Sequence, residues 1–243
     1  MSQSLRLLDK VAIVTGSSSG MGRAISTRYA REGAKLVCAD ISVTSRSDSP
    51  EEKGINTHDL IKKDGGDSIF VHTDATFGRV DVMVNNVGIC LEAHTMPVPC
   101  HLTEESVWDK TMPAQMLRQD PHSSGDRGWI VNMSSTVGLV GAPGVSSYSA
   151  SKGAVSNLTR QVALDYARDR IHVNALCPGF THTSITKEML ENWKGKEHFL
   201  SMIPSGRLGE PDDVAKMAVV LASDDIVGIT GVCVPVDGGV TAA

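Results

Sequence analysis

A chain of 243 residues, 41% hydrophobic and 21% charged, has the size and apolar content of one soluble α/β domain, so a second full domain is not expected. With 23 Lys and Arg against 28 Asp and Glu, the net charge is −5 and no basic run exceeds Lys62–Lys63, which argues against a nucleic-acid partner. No apolar stretch approaches the roughly 18 residues of a membrane span, and the first residues carry no signal-peptide pattern, so a cytoplasmic protein without a membrane partner is expected. Cys38, Cys90, Cys100, Cys177 and Cys233 are odd in number, scattered and never form CxxC, and the eight histidines offer no HxxH or HExxH spacing. Reduced thiols and no metal site are the expectation.

Along the chain, short β-branched apolar runs recur at 11–15, 36–39, 69–71, 80–84, 130–133, 171–175 and 232–236. Helical patterns fall at 21–32, near 103–108, at 147–167 and at 211–222, and the polar stretch 42–54 reads as a surface loop. Strands alternating with helices predict a parallel sheet covered on both faces. There is no internal repeat.

The first strand runs directly into Gly16-Ser-Ser-Ser-Gly20-Met-Gly22 and then into a helix containing Ala24, Ile25, Tyr29 and Ala30. Glycines there let the backbone turn and approach a pyrophosphate at a helix N-terminus, where free N–H groups and the dipole favour negative charge. Gly16, Ser18, Ser19, Gly20, Met21 and Gly22 are the expected contacts, although a tight turn without ligand would look the same in isolation. Asp40 closes the second strand, where a carboxylate accepts ribose hydroxyls. It would repel a 2′-phosphate, and neither Ser17 nor Ile41 is basic, so NAD is favoured; Arg46 keeps NADP open. Gly16-Ser-Ser18-Ser-Gly20 also satisfies the GxSxG elbow of α/β-hydrolases, with Ser18 as nucleophile. That elbow belongs deeper in the sheet order, and it leaves Asp40 unexplained.

Tyr148 and Lys152 are four residues apart on a predicted helix and share a face. A tyrosine is a poor acid or base at neutral pH, but an adjacent ammonium stabilises its phenolate. Alone, such a pair would more often be structural than catalytic.

Taken with the rest of the chain, these residues resemble the short-chain dehydrogenase/reductase family over nearly the whole length. Thr15-Gly16-x3-Gly20-x-Gly22 resembles its cofactor loop, and Asn85-Asn86-Val87-Gly88 its NNAG motif. Ser135, Tyr148 and Lys152 match its active-site spacing. Pro178-Gly179-x3-Thr183 resembles the PG motif and the threonine at the nicotinamide amide. The stretches 206–213 and 236–239 resemble C-terminal signatures. The resemblance implies a Rossmann-type doubly wound parallel sheet of about seven strands, residues 1–243 forming one NAD(P)-binding domain with a substrate loop at about 183–205. It implies an oxidoreductase that interconverts a secondary alcohol and a ketone, with hydride moving to or from nicotinamide C4. Tyr148 would be the general acid/base, Ser135 would hold the substrate oxygen, and Lys152 would also bind the nicotinamide ribose. Asp74, Ala75, Asn86, Val87, Gly88, Pro178, Gly179 and Thr183 join the expected cofactor contacts, and a homo-oligomer is implied if the interface helices are intact.

Two crossover helices look missing or shortened. Only about eight residues lead from the third strand to the fourth across Thr76–Phe77, where a right-handed crossover normally needs roughly a dozen or more. The diagonal to be spanned is about 22 Å and eight extended residues reach at most about 26 Å, so a helix-free strap could just connect them. At the second junction Pro113 directly follows Met112, where it would break a continuous helix. The family's relay asparagine on that helix has no counterpart, since no Asn occurs between Asn86 and Asn132. These departures raise an alternative, a catalytically impaired dinucleotide-binding sensor or scaffold. Specificity should reside in the loops 89–102, 140–145 and 183–205, the last an apolar lid or ordinary packing.

Overall fold

The computed structural model describes residues 5–40, 42–45, 54–70, 79–86, 112–183, 186, 197 and 200–242. Its strands are β1 (Val11–Thr15), β2 (Lys35–Ala39), β3 (Ser68–Phe70), β4 (Val82–Asn85), β5 (Gly128–Met133), β6 (Ile171–Pro178) and β7 (Cys233–Val236). The helices are α1 (Gly20–Arg31), α2 (Thr57–Lys63), α3 (Met112–Arg118), α4 (Ser146–Tyr166) and α5 (Pro211–Ala222). All strands pair parallel in the order β3-β2-β1-β4-β5-β6-β7, the doubly wound Rossmann arrangement. The order reverses between β1 and β4, and the crevice beyond the strands' carboxyl ends at such a point is where ligands bind.

One sheet face packs on α1 and α5. Ile25 and Tyr29 on α1 and Val214, Ala218 and Val219 on α5 close over Val14, Leu36, Val84, Val131 and Leu176, and the Tyr29 hydroxyl donates to the Ala218 carbonyl at 3.0 Å. Each large apolar side chain buried there contributes about 1.5–3 kcal/mol. The opposite face packs Met83, Ile130, Ile171 and Val173 against Met116 of α3 and Ala163 of α4. No helix among the described residues is long and apolar enough to cross a membrane.

The strands' amino ends carry a buried ionic cluster. Asp81 accepts from the Val11 N–H (2.8 Å), Arg79 (2.7 Å) and His122 (2.9 Å). Asp126 accepts from His172 (2.9 Å) and Arg170 (3.0 Å). Trp129 lies between the His122 and His172 rings, with the Lys10 ammonium 3.3 Å from its centroid and bonded to Asp224. This cluster starts β4 later than the apolar run does, because the buried Asp81 carboxylate binds β1 from just ahead of the strand.

Two short helices depart from the sequence reading. α2 buries only Thr57 and Ile61, too little for a helical period to register. α3 begins at the junction where a helix was expected to break: Met112 and Pro113 are consecutive residues of its first turn, where proline's missing N–H has no intrahelical partner to lose. The junction at Thr76–Phe77 and the helix expected near 103–108 lie outside the described residues.

Candidate active site

The site lies at the carboxyl ends of β1, β4, β5 and β6. β1 passes into the glycine loop, and Ser19 enters α1 in extended conformation without a side-chain cap, so no hydroxyl occupies the first-turn N–H groups. Gly22 is required by close approach: a Cβ there would sit 2.0 Å from the Gly16 carbonyl oxygen and 2.7 Å from Asn86 Nδ2. Asn86 donates through Nδ2 to the Thr15 (3.0 Å) and Gly16 (3.3 Å) carbonyls, and its N–H to Thr15 Oγ1 (3.0 Å), fastening the end of β4 to the loop. Asp40 accepts the Ser18 N–H at 3.0 Å. The Ser18 hydroxyl, nearly buried, donates to the Ser42 carbonyl, which leaves it badly placed for the hydrolase nucleophile the GxSxG pattern allowed. α2, unseen in the sequence, supports the loop from behind through a 2.8 Å bond from Thr57 to the Ser17 carbonyl.

On the far side of the crevice, Pro178 ends β6, and the Gly179 N–H donates to Val236. Thr183 reaches back over the loop: a Cβ on Gly20 would lie 3.8 Å from its Cγ2. Uncapped N–H groups at α1, a cradle that one methyl would fill and a carboxylate at the end of β2 fit the pyrophosphate and ribose of a dinucleotide. Met21 lies partly buried in the first turn of α1. Asp74, Ala75, Val87, Gly88 and Arg46 lie outside the described residues.

Ser135 stands just beyond the end of β5, and Tyr148 and Lys152 lie one turn apart at the start of α4. Ser135 follows β5, is 8% exposed, and caps the 3₁₀ turn at Thr136–Gly138 by accepting from Val137 N–H. Tyr148 is in the first turn of α4, and Lys152, one turn on, holds its ammonium 5.7 Å from the Tyr148 ring centroid. The same ammonium donates to the Met133 carbonyl at 2.7 Å, tying α4 to the strand end that delivers Ser135. Gly138 permits this contact, since a Cβ there would meet the Lys152 carbonyl at 2.6 Å.

The supporting residues escaped the sequence reading. Ser134 donates to the Lys152 carbonyl (2.9 Å) and shares a 2.8 Å hydrogen bond with Ser156. Asn85 donates to Asn132 (2.8 Å), and Asn132 to Thr159 (3.0 Å), joining β4, β5 and α4 through the interior. A signal existed: Lys152, Ser156, Thr159 and Ala163 repeat at helical spacing, so the buried face of α4 is small and polar where an apolar stripe would be ordinary. Among the described residues no group of three or more His, Cys, Asp or Glu is arranged to hold a metal.

A family model described as enoyl-(acyl carrier protein) reductase matches residues 16–241. A 3-oxoacyl-(acyl-carrier-protein) reductase FabG of Thermotoga maritima is 34% identical across 97% of this chain and 99% of its own. The chain belongs to the short-chain dehydrogenase/reductase family. A (3R)-3-hydroxyacyl-CoA dehydrogenase of Rattus norvegicus is 35% identical across 98% of this chain and 99% of its own. Among solved structures, a candidate 2-deoxy-d-gluconate 3-dehydrogenase of Agrobacterium tumefaciens with bound NADP is 29% identical, covers all of both chains and gives a TM-score of 0.78. This short-chain dehydrogenase/reductase therefore aligns end to end with its relatives, and nothing in the likeness favours the impaired binder.

Proposed function

We propose that Ser135, Tyr148 and Lys152 are the catalytic groups of this enzyme and that NAD is its preferred cofactor. The protein is an NAD(P)-dependent oxidoreductase interconverting an alcohol and a ketone. The observation that carries the residue assignment is the Lys152 ammonium, held over the Tyr148 ring and pinned to the Met133 carbonyl two residues before Ser135.

Bound nicotinamide supplies or accepts the hydride. In the reducing direction, the Ser135 hydroxyl donates to the substrate carbonyl oxygen and holds it beside Tyr148. The Tyr148 hydroxyl passes its proton to that oxygen as negative charge develops, and the Lys152 ammonium stabilises the phenolate left behind. Oxidation runs the same proton transfer in reverse. Asn86, Ser18, Ser19, Gly20, Met21 and Gly22 line the pyrophosphate cradle, Asp40 accepts from the adenosine ribose, and Pro178, Gly179 and Thr183 close the nicotinamide end. Asp74, Ala75, Val87 and Gly88 complete the set by resemblance.

The NAD preference rests on Asp40, whose negative charge opposes a 2′-phosphate; the Agrobacterium structure, which holds NADP, marks the competing outcome. The reading includes a cytoplasmic homo-oligomer with a small alcohol or carbonyl substrate, and light scattering on the purified chain measures its mass. The deciding experiment is Tyr148→Phe: turnover falls by about 10²–10⁴-fold while NADH binding, followed by fluorescence, stays within a few-fold of the parent. Undiminished turnover in that variant refutes the acid/base assignment.

A further inference from the structure

Residues 178–183, the nicotinamide end of the proposed cofactor site, rest on two backbone supports that come from far along the chain. The first is the end of β7. Val236 accepts the Gly179 N–H at 3.1 Å, and Asp237 follows directly beneath Gly179, where a Cβ on that glycine would lie 2.9 Å from both Cα and Cβ of Asp237. The second is Gly209, just ahead of α5, which donates to the Phe180 carbonyl at 2.8 Å and accepts the His182 N–H at 2.9 Å. The two supports are joined to one another. Ser205, four residues before Gly209, donates its N–H to the Gly238 carbonyl at 2.9 Å, and Gly238 packs so closely on Ile203 and Ser205 that no Cβ would fit there.

The turn between these supports has little stiffness of its own. Gly238 and Gly239 both have positive φ, +65° and +97°, and a pair of glycines loses more conformational freedom on ordering than any other residues would. What holds the turn is the Asp237 carboxylate. One oxygen accepts the Gly239 N–H at 2.9 Å, and the other accepts the Thr241 N–H and the Thr241 hydroxyl, each at 2.8 Å. Burial raises the Asp237 carboxyl, but these hydrogen bonds outweigh it and hold it below its ordinary 3.8, so at neutral pH it is an ionised acceptor. All three donors belong to its own turn, so its effect on the site passes through Gly179 and Ser205. We infer that Asp237 is a positioning residue for the nicotinamide half of the cofactor: by locking the turn 237–241 it fixes the place of Gly179 directly and that of residues 180–182 through Ser205 and Gly209. The inference rests on the assignment of Pro178, Gly179 and Thr183 to the nicotinamide end. The adenosine half, assigned to the glycine loop and Asp40, is held by β1, β2 and α1 and does not depend on this turn.

The test compares two ligands on the full chain: NADH, which reaches the nicotinamide end, followed by fluorescence, and ADP, which stops at the pyrophosphate, followed by calorimetry. Asp237→Ala weakens NADH by about tenfold, the equivalent of one well-made hydrogen bond, and leaves ADP within about twofold of the parent. A merely structural role would weaken both ligands together. Asp237→Asn, which keeps one acceptor oxygen, falls between the parent and Asp237→Ala. Thr241→Val removes one of the three donors and gives a smaller loss of NADH affinity, which Thr241→Ser, with its hydroxyl restored, recovers; this second pair carries the test if Asp237→Ala does not fold. NADH affinity that stays parental in the folded variants, or that falls no further than ADP affinity, overturns the inference and leaves the cofactor reading standing. A parent chain that binds neither ligand overturns both.

Discussion

Replacing Gly22 with alanine places a methyl group 2.0 Å from the Gly16 carbonyl oxygen, where contacts under 3.0 Å are essentially never seen, so the first turn of α1 must retreat by about 1 Å. It has little freedom to do so. Ile25 and Tyr29 are fully buried on the same helix, and the Tyr29 hydroxyl is bonded across to Ala218. Overpacking of this kind costs about 1–3 kcal/mol, which for a chain of this size lowers Tm by about 2–12 °C. The same displacement moves the loop that cradles the pyrophosphate, and a 1 Å misplacement can cost about 10²-fold in kcat/KM. Gly153 is the matched control: its added Cβ meets nothing within 4 Å, and it sits inside α4. Alanine there stabilises by about 0.5–1 kcal/mol, through the lower entropy of the unfolded chain. Thermal melts with NADH titrations separate the two variants. A Gly22→Ala protein with parental Tm and parental NADH affinity would refute the cradle as described.

Other expectations follow from the same contacts. Asn132→Leu strands Asn85 and Thr159 without their shared partner and costs about 2–4 kcal/mol in urea unfolding; a loss under 0.5 kcal/mol would show the chain of amides to be dispensable. Burial raises the Asp126 carboxyl, but the hydrogen bonds from His172, Ser124 and Arg170 outweigh it and leave Asp126 below its ordinary 3.8. A carboxylate depressed by folding adds stability that is complete above the unfolded value and disappears as pH falls through the lower folded one. Asp126→Asn should therefore lower Tm at pH 7 and flatten part of the decline below about pH 5; a slope equal to the parent's contradicts the pairing. Asp40→Ala removes the charge that opposes a 2′-phosphate and should raise kcat/KM for NADPH relative to NADH by about tenfold or more. An unchanged ratio would move cofactor choice away from this residue.

Much of the site is legible in linear order because its parts are local. Gly16 to Gly22 form one turn between one strand and one helix, and Tyr148 and Lys152 are one helical turn apart, so backbone geometry alone carries them to a common face. The strands are legible because parallel strands buried on both faces are continuous apolar runs. α2 was not, since seven residues burying only Thr57 and Ile61 give no period to detect. What marks α2 is punctuation, Asn56 ahead of it and Gly65 after it.

From the sequence alone came the parallel α/β architecture, fixed by the alternation of strand and helix patterns, and the expectation of a dinucleotide loop with Asp40 and, by family resemblance, of a Ser135, Tyr148 and Lys152 constellation. Only the tertiary structure showed that Ser134 and Ser156 brace the Lys152 turn and that Asn85, Asn132 and Thr159 link three elements. Those contacts span 18 to 47 residues of sequence. Strand order and register decide them, and no local pattern of polar residues encodes which distant partner a buried donor will find.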